Sequence, residues 1–290
     1  MVSVVNDIFH VGLTVERIEW HKEFLARCLG MEVLSDSPRQ GDWISEVTGL
    51  PGFRARNVYM TPDGINRLEM FEIAHPPLKD VPLSLGTCLG VSHMRIAAGD
   101  IEEIRARVSG EGLSTVESPD MTAGKTLIFQ DLSGLFWEIV SHDTGNSAVR
   151  VVVSDLDRSL ELYAGLLGLE PLDRVDDTGI VQDDLGNRRP VALQVQRVGS
   201  TCGQFIDLCQ YKDFVPLANP RDRINCRGFH HIAFRVADAA GAFDSIRSQG
   251  YRYVSEPLSI PEGPNRGGLL FYFYDGDGTV LECLQPPYNA

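Results

Sequence analysis

No C-x-x-C pair occurs among the six cysteines of the chain, Cys28, Cys88, Cys202, Cys209, Cys226 and Cys283. Their scatter argues against a zinc knuckle and against a disulfide framework, and points to reduced thiols in a cytoplasmic protein. Basic residues are scarce: 26 Lys and Arg stand against 40 Asp and Glu, a net charge of −14, and no Lys/Arg-rich run offsets it locally. That balance repels nucleic acid and anionic membrane, so neither is expected as a partner. The N-terminal "MVSVVNDIF" lacks a basic n-region, and no apolar run approaches a membrane span, so no signal peptide or transmembrane helix is expected. What remains is a globular composition, 43% apolar and 23% charged, with 290 residues for one large domain or two ordinary ones.

The chain repeats itself. "HVGLTVER", "HMRIAAGD", "AVRVVVSD" and "HIAFRVAD" begin at His10, His93, Ala148 and His231, and each is a strand-like apolar run. A charged residue follows seven positions on (Arg17, Asp100, Asp155, Asp238), then an amphipathic helical stretch closed by Gly30, Gly110, Gly168 or Gly250. Each unit later sets a carboxylate inside another apolar strand: Glu69 in "RLEMFEI", Glu138 in "LFWEIVS", Asp207 in "QFIDLCQ" and Glu282 in "TVLECLQ". His10 to Ala148, His93 to His231 and Glu69 to Asp207 are all 138 residues apart; Glu138 to Glu282 is 144, the excess lying in "LSIPEGPNRGG". The chain is therefore two similar halves, 1–145 and 146–290, each made of two units: about 5–75 and 90–142, then about 147–211 and 228–287. A unit reads strand, helix, three strands; in the first, strands are predicted near 8–14, 31–36, 55–61 and 67–74. Proline-rich connections at 74–90 and 211–228 join units one to two and three to four.

This pattern resembles the vicinal oxygen chelate superfamily, which includes glyoxalase I, methylmalonyl-CoA epimerase, extradiol dioxygenases and bleomycin-resistance proteins. The resemblance covers essentially the whole chain, and "VSDLDRSLELYAGLLGLE" and "FYDGDGTVLECLQPP" look like family text. It implies an α+β fold of four βαβββ modules, paired into two cupped mixed sheets with helices outside. It also implies a divalent metal (Ni, Zn, Mn, Co or Fe) held by first-strand and fourth-strand residues of two modules. Pairing consecutive modules gives His10, Glu69, His93 and Glu138 in the first half, with Ala148, Asp207, His231 and Glu282 in the second. Pairing one with four instead gives His10, Glu69, His231 and Glu282, also a complete set; consecutive pairing is the commoner arrangement and is the one expected. Strand alternation puts His10, Gly12 and Thr14 on one face, and a glutamate between Leu68 and Met70 is costly in a core unless something compensates it. Two imidazoles and two carboxylates converging on a divalent cation satisfy one another.

Four such ligands leave two positions on an octahedral ion for a small substrate with two neighbouring oxygens. The resemblance then implies proton-transfer isomerase, epimerase or lyase chemistry, with Glu138 as base by analogy with glyoxalase I. Ala148 cannot coordinate, so the second half reads as vestigial or repurposed, with Asp207, His231, Glu282 and Tyr272 as its candidate residues. Arg95 and Arg67, two residues from His93 and Glu69, are candidate grips for a substrate carboxylate or phosphate; at a strand end either is equally a solvated residue. Trp43 and Phe53 read as a lid or as core anchors, and His21, His75, His142 and His230 as structural or surface residues. Rival readings are an Fe(II) ring-cleaving dioxygenase acting on a catechol or hydroquinone, and a non-catalytic ligand-sequestering protein. The chain is expected to act as a monomer or homodimer.

Overall fold

Each first-strand run of the sequence opens a βαβββ module in the computed structural model, which describes residues 4–81, 83–118, 126–141, 146–183 and 185–287. Module one is β1 (Val5–Thr14), α1 (Ile18–Leu29), β2 (Glu32–Gln40), a short α2 (Asp42–Thr48), β3 (Arg54–Thr61) and β4 (Leu68–His75). Module two is β5 (Gly90–Ala98), α3 (Ile101–Gly110), β6 (Thr115–Ser118), β7 (Thr126–Gln130) and β8 (Phe136–Ser141). Module three is β9 (Ala148–Val152), α4 (Leu156–Leu160) continued by a π-helical turn (Glu161–Leu166), β10 (Glu170–Gln182), β11 (Arg188–Gly199) and β12 (Phe205–Tyr211). Module four is β13 (Gly228–Val236), α5 (Ala239–Ser248), β14 (Leu258–Ser259), β15 (Leu269–Tyr274) and β16 (Val280–Gln285). Asp100, Asp155 and Asp238 each accept backbone N–H groups at the start of the next helix, whereas Arg17 leads α1 without a side-chain cap. Gly110 does not close α3 but is its last residue.

The modules build two curled, mixed, eight-stranded sheets. One runs β14-β15-β16-β13-β1-β4-β3-β2 and the other β10-β11-β12-β9-β5-β8-β7-β6. Modules one and four therefore share one sheet and modules two and three the other, in place of the consecutive pairing expected from the sequence. Inside a module the first strand pairs in parallel with the fourth, so its other edge is left for another first strand. β1 takes β13 and β5 takes β9, both antiparallel. The brief connection between β8 and β9 keeps modules two and three together. The two proline-rich connections run beside each other between the sheets, with Lys79 bridging to Cys226 and Cys88 to Leu217.

Strand alternation then divides the side chains. Val11, Leu13, Met94, Ile96, Val149, Val151, Ile232 and Phe234 face one core shared with α1, α3, α4 and α5. The opposite faces form two cups. The first is lined by Phe9, Phe71, Leu270 and Tyr272 with Ile44 and Val47 of α2 packed in. Among the described residues no helix is long and apolar enough to cross a membrane.

Candidate metal centre

The ladder between β1 and β13 sets Gly12 opposite His231 and His10 opposite Ala233. Each imidazole thus stands across from a residue with little or no side chain. The parallel ladders place Glu69 beside Gly12 and Glu282 beside Ala233. A Cβ built on Gly12 lies 1.9 Å from His231 Cε1, so the ring occupies the space that any side chain at position 12 needs. Gly12→Ala is therefore expected to displace His231 and to cost about 1–3 kcal/mol of stability as an overpacking change. Urea denaturation measures the loss of stability, and a cation titration should show the weaker binding that a displaced His231 causes.

His10 Nε2 lies 3.0 Å from His231 Nε2, 3.0 Å from Glu69 Oε2 and 3.7 Å from Glu282 Oε2. His231 Nε2 lies 3.3 Å from Glu69 Oε2 and 3.4 Å from Glu282 Oε2. These four buried residues each offer one ligand atom, all within 4.8 Å of one another. Glu69 Oε2 approaches both imidazoles closely yet forms no hydrogen bond, which is how donors look when they aim at a common point instead of at each other. Two ligands about 2.1 Å from an ion and at right angles stand about 3.0 Å apart, the observed imidazole separation. The donor set fits a divalent cation.

Two tyrosines flank the carboxylates. Tyr59 on β3 stands opposite Glu69, and Tyr272 on β15 opposite Glu282. The Tyr59 hydroxyl and the Asn57 amide both donate to Glu69 Oε1, leaving Oε2 to face the cup. Burial, then Glu69 and Glu282, holds the Tyr59 phenol well above its ordinary value; burial and the same two carboxylates do so for Tyr272. Burial opposes the charge on Glu69, but the His10 and His231 imidazoles hold it well below the usual carboxylate range. Burial likewise opposes an imidazolium at His231, yet Glu282 and Glu69 push its pKa up to about 9. His230, stacked on His231, is held well below its ordinary value by burial and by that neighbour.

His93 and Glu138, expected to complete the site with His10 and Glu69, lie in the other cup. There His93 Nε2 is 3.1 Å from Glu138 Oε2. Arg95 donates to both Glu138 oxygens at 3.0 and 2.9 Å, and its guanidinium lies 3.6 Å from Asp207. Arg197 adds a fork onto Asp207 at 2.7 and 3.0 Å, and Arg150 lies 3.4 Å from Glu138 and 3.9 Å from Asp207. Arg95 and Arg150 hold the strand positions that Ala233 and Gly12 hold in the first cup. Guanidinium groups therefore stand where the first cup has room for an ion. Arg95, read from the sequence as a candidate substrate grip, is 2% exposed here and engaged by Glu138 and Asp207, and Asp207 is 1% exposed and lies in the other sheet from His231 and Glu282. Arg67 places its guanidinium over the Phe9 ring, 4.9 Å from the centroid, and does not line the cleft.

A cleft with roughly 450 Å³ of space, its open mouth included, reaches Glu69, Glu282 and both tyrosines. Arg39, Trp43, Glu262 and Asn265 stand around it, and the Trp43 indole N–H is buried without a partner. Phe53 is a core residue, 0% exposed. His21 is buried, its Nδ1 2.9 Å from the Arg17 carbonyl, and His75 is exposed; His142 lies outside the described residues. Sequence reading missed Gly12, Asn57, Tyr59 and His230 as parts of the site. Tyr59 had a signal, since both tyrosines stand ten residues ahead of their glutamates.

A family model described as the Glyoxalase/Bleomycin resistance protein/Dioxygenase superfamily matches residues 7–139 and 146–283. A curated relative, 2-epi-5-epi-valiolone epimerase from Actinomyces sp, is 28% identical over 150 residues, 49% of this chain and 79% of that protein. Glyoxalase I from Zea mays superposes with a TM-score of 0.65 at 17% identity, over 96% of this chain and 92% of that one. A putative dioxygenase from Bacillus subtilis subsp. subtilis str. 168 superposes with a TM-score of 0.65 at 14% identity, over 99% and 87%. At these identities the structural likeness establishes the shared fold.

Proposed function

Since the chain belongs to the glyoxalase/bleomycin resistance protein/dioxygenase superfamily, we propose that it is a metal-dependent enzyme catalysing proton-transfer isomerisation or epimerisation. Its substrate is a small molecule with two neighbouring oxygens, and one divalent ion per chain is held by His10, Glu69, His231 and Glu282. The observation that carries this reading is the convergence of four buried donors at the base of a cleft. When bound, the ion supplies Lewis-acid polarisation of the two substrate oxygens. The name of the Actinomyces relative, an epimerase, favours the reaction class.

The chain's own groups divide the remaining work. Glu69 is fixed through Oε1 by Asn57 and Tyr59, which suits a permanent ligand. On the other side of the cup, Leu270 stands where Asn57 stands, so Glu282 has no amide of that kind to hold it. Glu282 is accordingly the carboxylate that takes a carbon-bound proton and returns it. This moves the role from Glu138, whose two oxygens are engaged by Arg95. Tyr59 and Tyr272 stay protonated and wall the site, while Trp43 offers its N–H to a substrate oxygen.

The test uses the full chain loaded in turn with Mn, Co, Ni, Zn and, anaerobically, Fe(II). Elemental analysis is expected to give about one ion per chain, because the second cup carries its own cations. Incubation in D₂O with a panel of α-hydroxy ketones and 2-oxo acids is expected to place solvent deuterium beside the carbonyl, and chelation should stop it. Oxygen uptake with a catechol or hydroquinone and no deuterium incorporation would replace this reading with the dioxygenase one.

A further inference from the structure

β13 carries an irregularity just ahead of His231. The ladder pairs Gly12 with His231 but Leu13 with Phe229, so His230 is an extra residue bulged out of register. Bulges re-aim side chains, and here consecutive residues both serve the first cup. His230 is 1% exposed, its Nδ1 is 2.8 Å from His231 Nδ1, and its Nε2 is 3.1 Å from Thr14 Oγ1. The Thr14 hydroxyl in turn lies 2.5 Å from the Ile224 carbonyl oxygen.

We propose that His230 is a positioning residue that, through Thr14 and Ile224, fixes which nitrogen of His231 is bare. The inference rests on the metal-site reading above and follows from donor and acceptor chemistry. A carbonyl oxygen only accepts, so the Thr14 hydroxyl donates to Ile224. Its proton spent, Thr14 Oγ1 accepts from His230, which places a proton on His230 Nε2. A second ring proton makes His230 a buried imidazolium with no carboxylate among its hydrogen-bond partners, which is unfavourable. His230 Nδ1 is therefore a bare acceptor, and His231 Nδ1–H donates to it. His231 Nε2 is then the nitrogen left to face Glu69, Glu282 and His10, and it is bare once a cation displaces its proton. A backbone carbonyl thus sets the tautomer of a ligand imidazole through two side chains.

The other modules vary this device. Ser92, the bulged residue of β5, lies 3.0 Å from His93 Nδ1, while Phe9 ahead of His10 offers only a ring edge. Of the two ligand imidazoles of the first cup, His231 is held at Nδ1 by a hydrogen bond, and His10 Nδ1 is buried without a partner.

The experiment compares the unsubstituted full chain with His230→Phe, His230→Asn and Thr14→Val. Zn²⁺ affinity is read by competition with a chelator, and imidazole tautomers by long-range ¹H–¹⁵N correlation with and without Zn²⁺. His230→Phe keeps a ring but no nitrogen and is expected to weaken Zn²⁺ binding by about 10–100-fold, the usual effect of losing such a partner. His230→Asn puts an amide oxygen near the former Nδ1 and should recover most of that loss. Should His230→Phe fail to fold, Thr14→Val supplies the same reading by freeing the His230 tautomer. In the unsubstituted protein His230 should be protonated at Nε2 and bare at Nδ1 with or without Zn²⁺. Unchanged affinity in both His230→Phe and Thr14→Val, or a proton on His230 Nδ1, overturns the proposal. Absence of Zn²⁺ binding by the unsubstituted chain overturns the metal reading instead, while the metal-free His230 tautomer still decides the relay.

Discussion

Glu282→Gln is expected to lower the rate of carbon–hydrogen exchange by about 10²–10⁴-fold, the range for removing a general base, while the protein keeps close to one ion per chain. Glutamine preserves the shape of the side chain and an oxygen that can still face the cup, but it cannot accept a proton. Glu69→Gln should behave differently. Its Oε1 accepts from Asn57 and Tyr59 and its Oε2 faces both imidazoles, so an amide there disturbs either the donors that anchor it or the ion it holds. Weaker cation binding is therefore the main expected effect of Glu69→Gln, and adding excess cation should recover part of the rate. Exchange kinetics in D₂O at saturating and limiting cation separate the two. If Glu69→Gln keeps its ion and loses exchange while Glu282→Gln loses its ion, the two carboxylates trade roles.

Much of this centre was legible in the repeat. The 138-residue offsets marked His10, Glu69 and His231 as repeat positions, the carboxylate in the last unit's apolar strand added Glu282 at an offset of 144, and period-two alternation put His10 on a face with Gly12 and Thr14. The partnership of modules was not legible from those positions, because either pairing yields two histidines and two glutamates. It is decided by which first-strand edges meet, a tertiary choice between backbone ladders that are alike in kind. Two local features did carry the answer. Tyr59 and Tyr272 stand ten residues before their glutamates, whereas Ile128 and Arg197 stand ten before Glu138 and Asp207. The residues two beyond the ligand positions are Gly12 and Ala233 in one pair of modules, and Arg95 and Arg150 in the other. An ion needs the space that glycine and alanine leave, and an arginine fills it with its own charge. The bulge at His230 had no sequence signal of this kind, because an apolar strand reads the same with or without one extra residue.

That exchange of ion for arginine makes Glu138→Gln the second large effect, expected in stability and not in cation content. Glu138 is 2% exposed and holds Arg95 through two hydrogen bonds, with Arg150 3.4 Å away. Removing one partner of a buried charge cluster leaves the others uncompensated, a loss of about 3–5 kcal/mol. Urea denaturation of the substituted and unsubstituted chains at pH 7 measures it. Acid should produce a related effect without mutation. Burial opposes ionisation of Glu138, but Arg150 and Arg95 hold it well below the usual carboxylate range; burial opposes Asp207 in the same way, and Arg197 and Arg95 lower it. Groups whose folded values are depressed contribute stability that is fully present above their unfolded values, about 4.3 for Glu and 3.9 for Asp, and lost as pH falls through the folded ones. The unsubstituted protein should therefore weaken below about pH 4, where its advantage over Glu138→Gln narrows. Because Glu138 lies outside the first cup, the substituted protein should still bind about one ion per chain at neutral pH. Loss of that ion in a chain that remains folded would return Glu138 to the metal and undo the assignment of modules one and four to a single site.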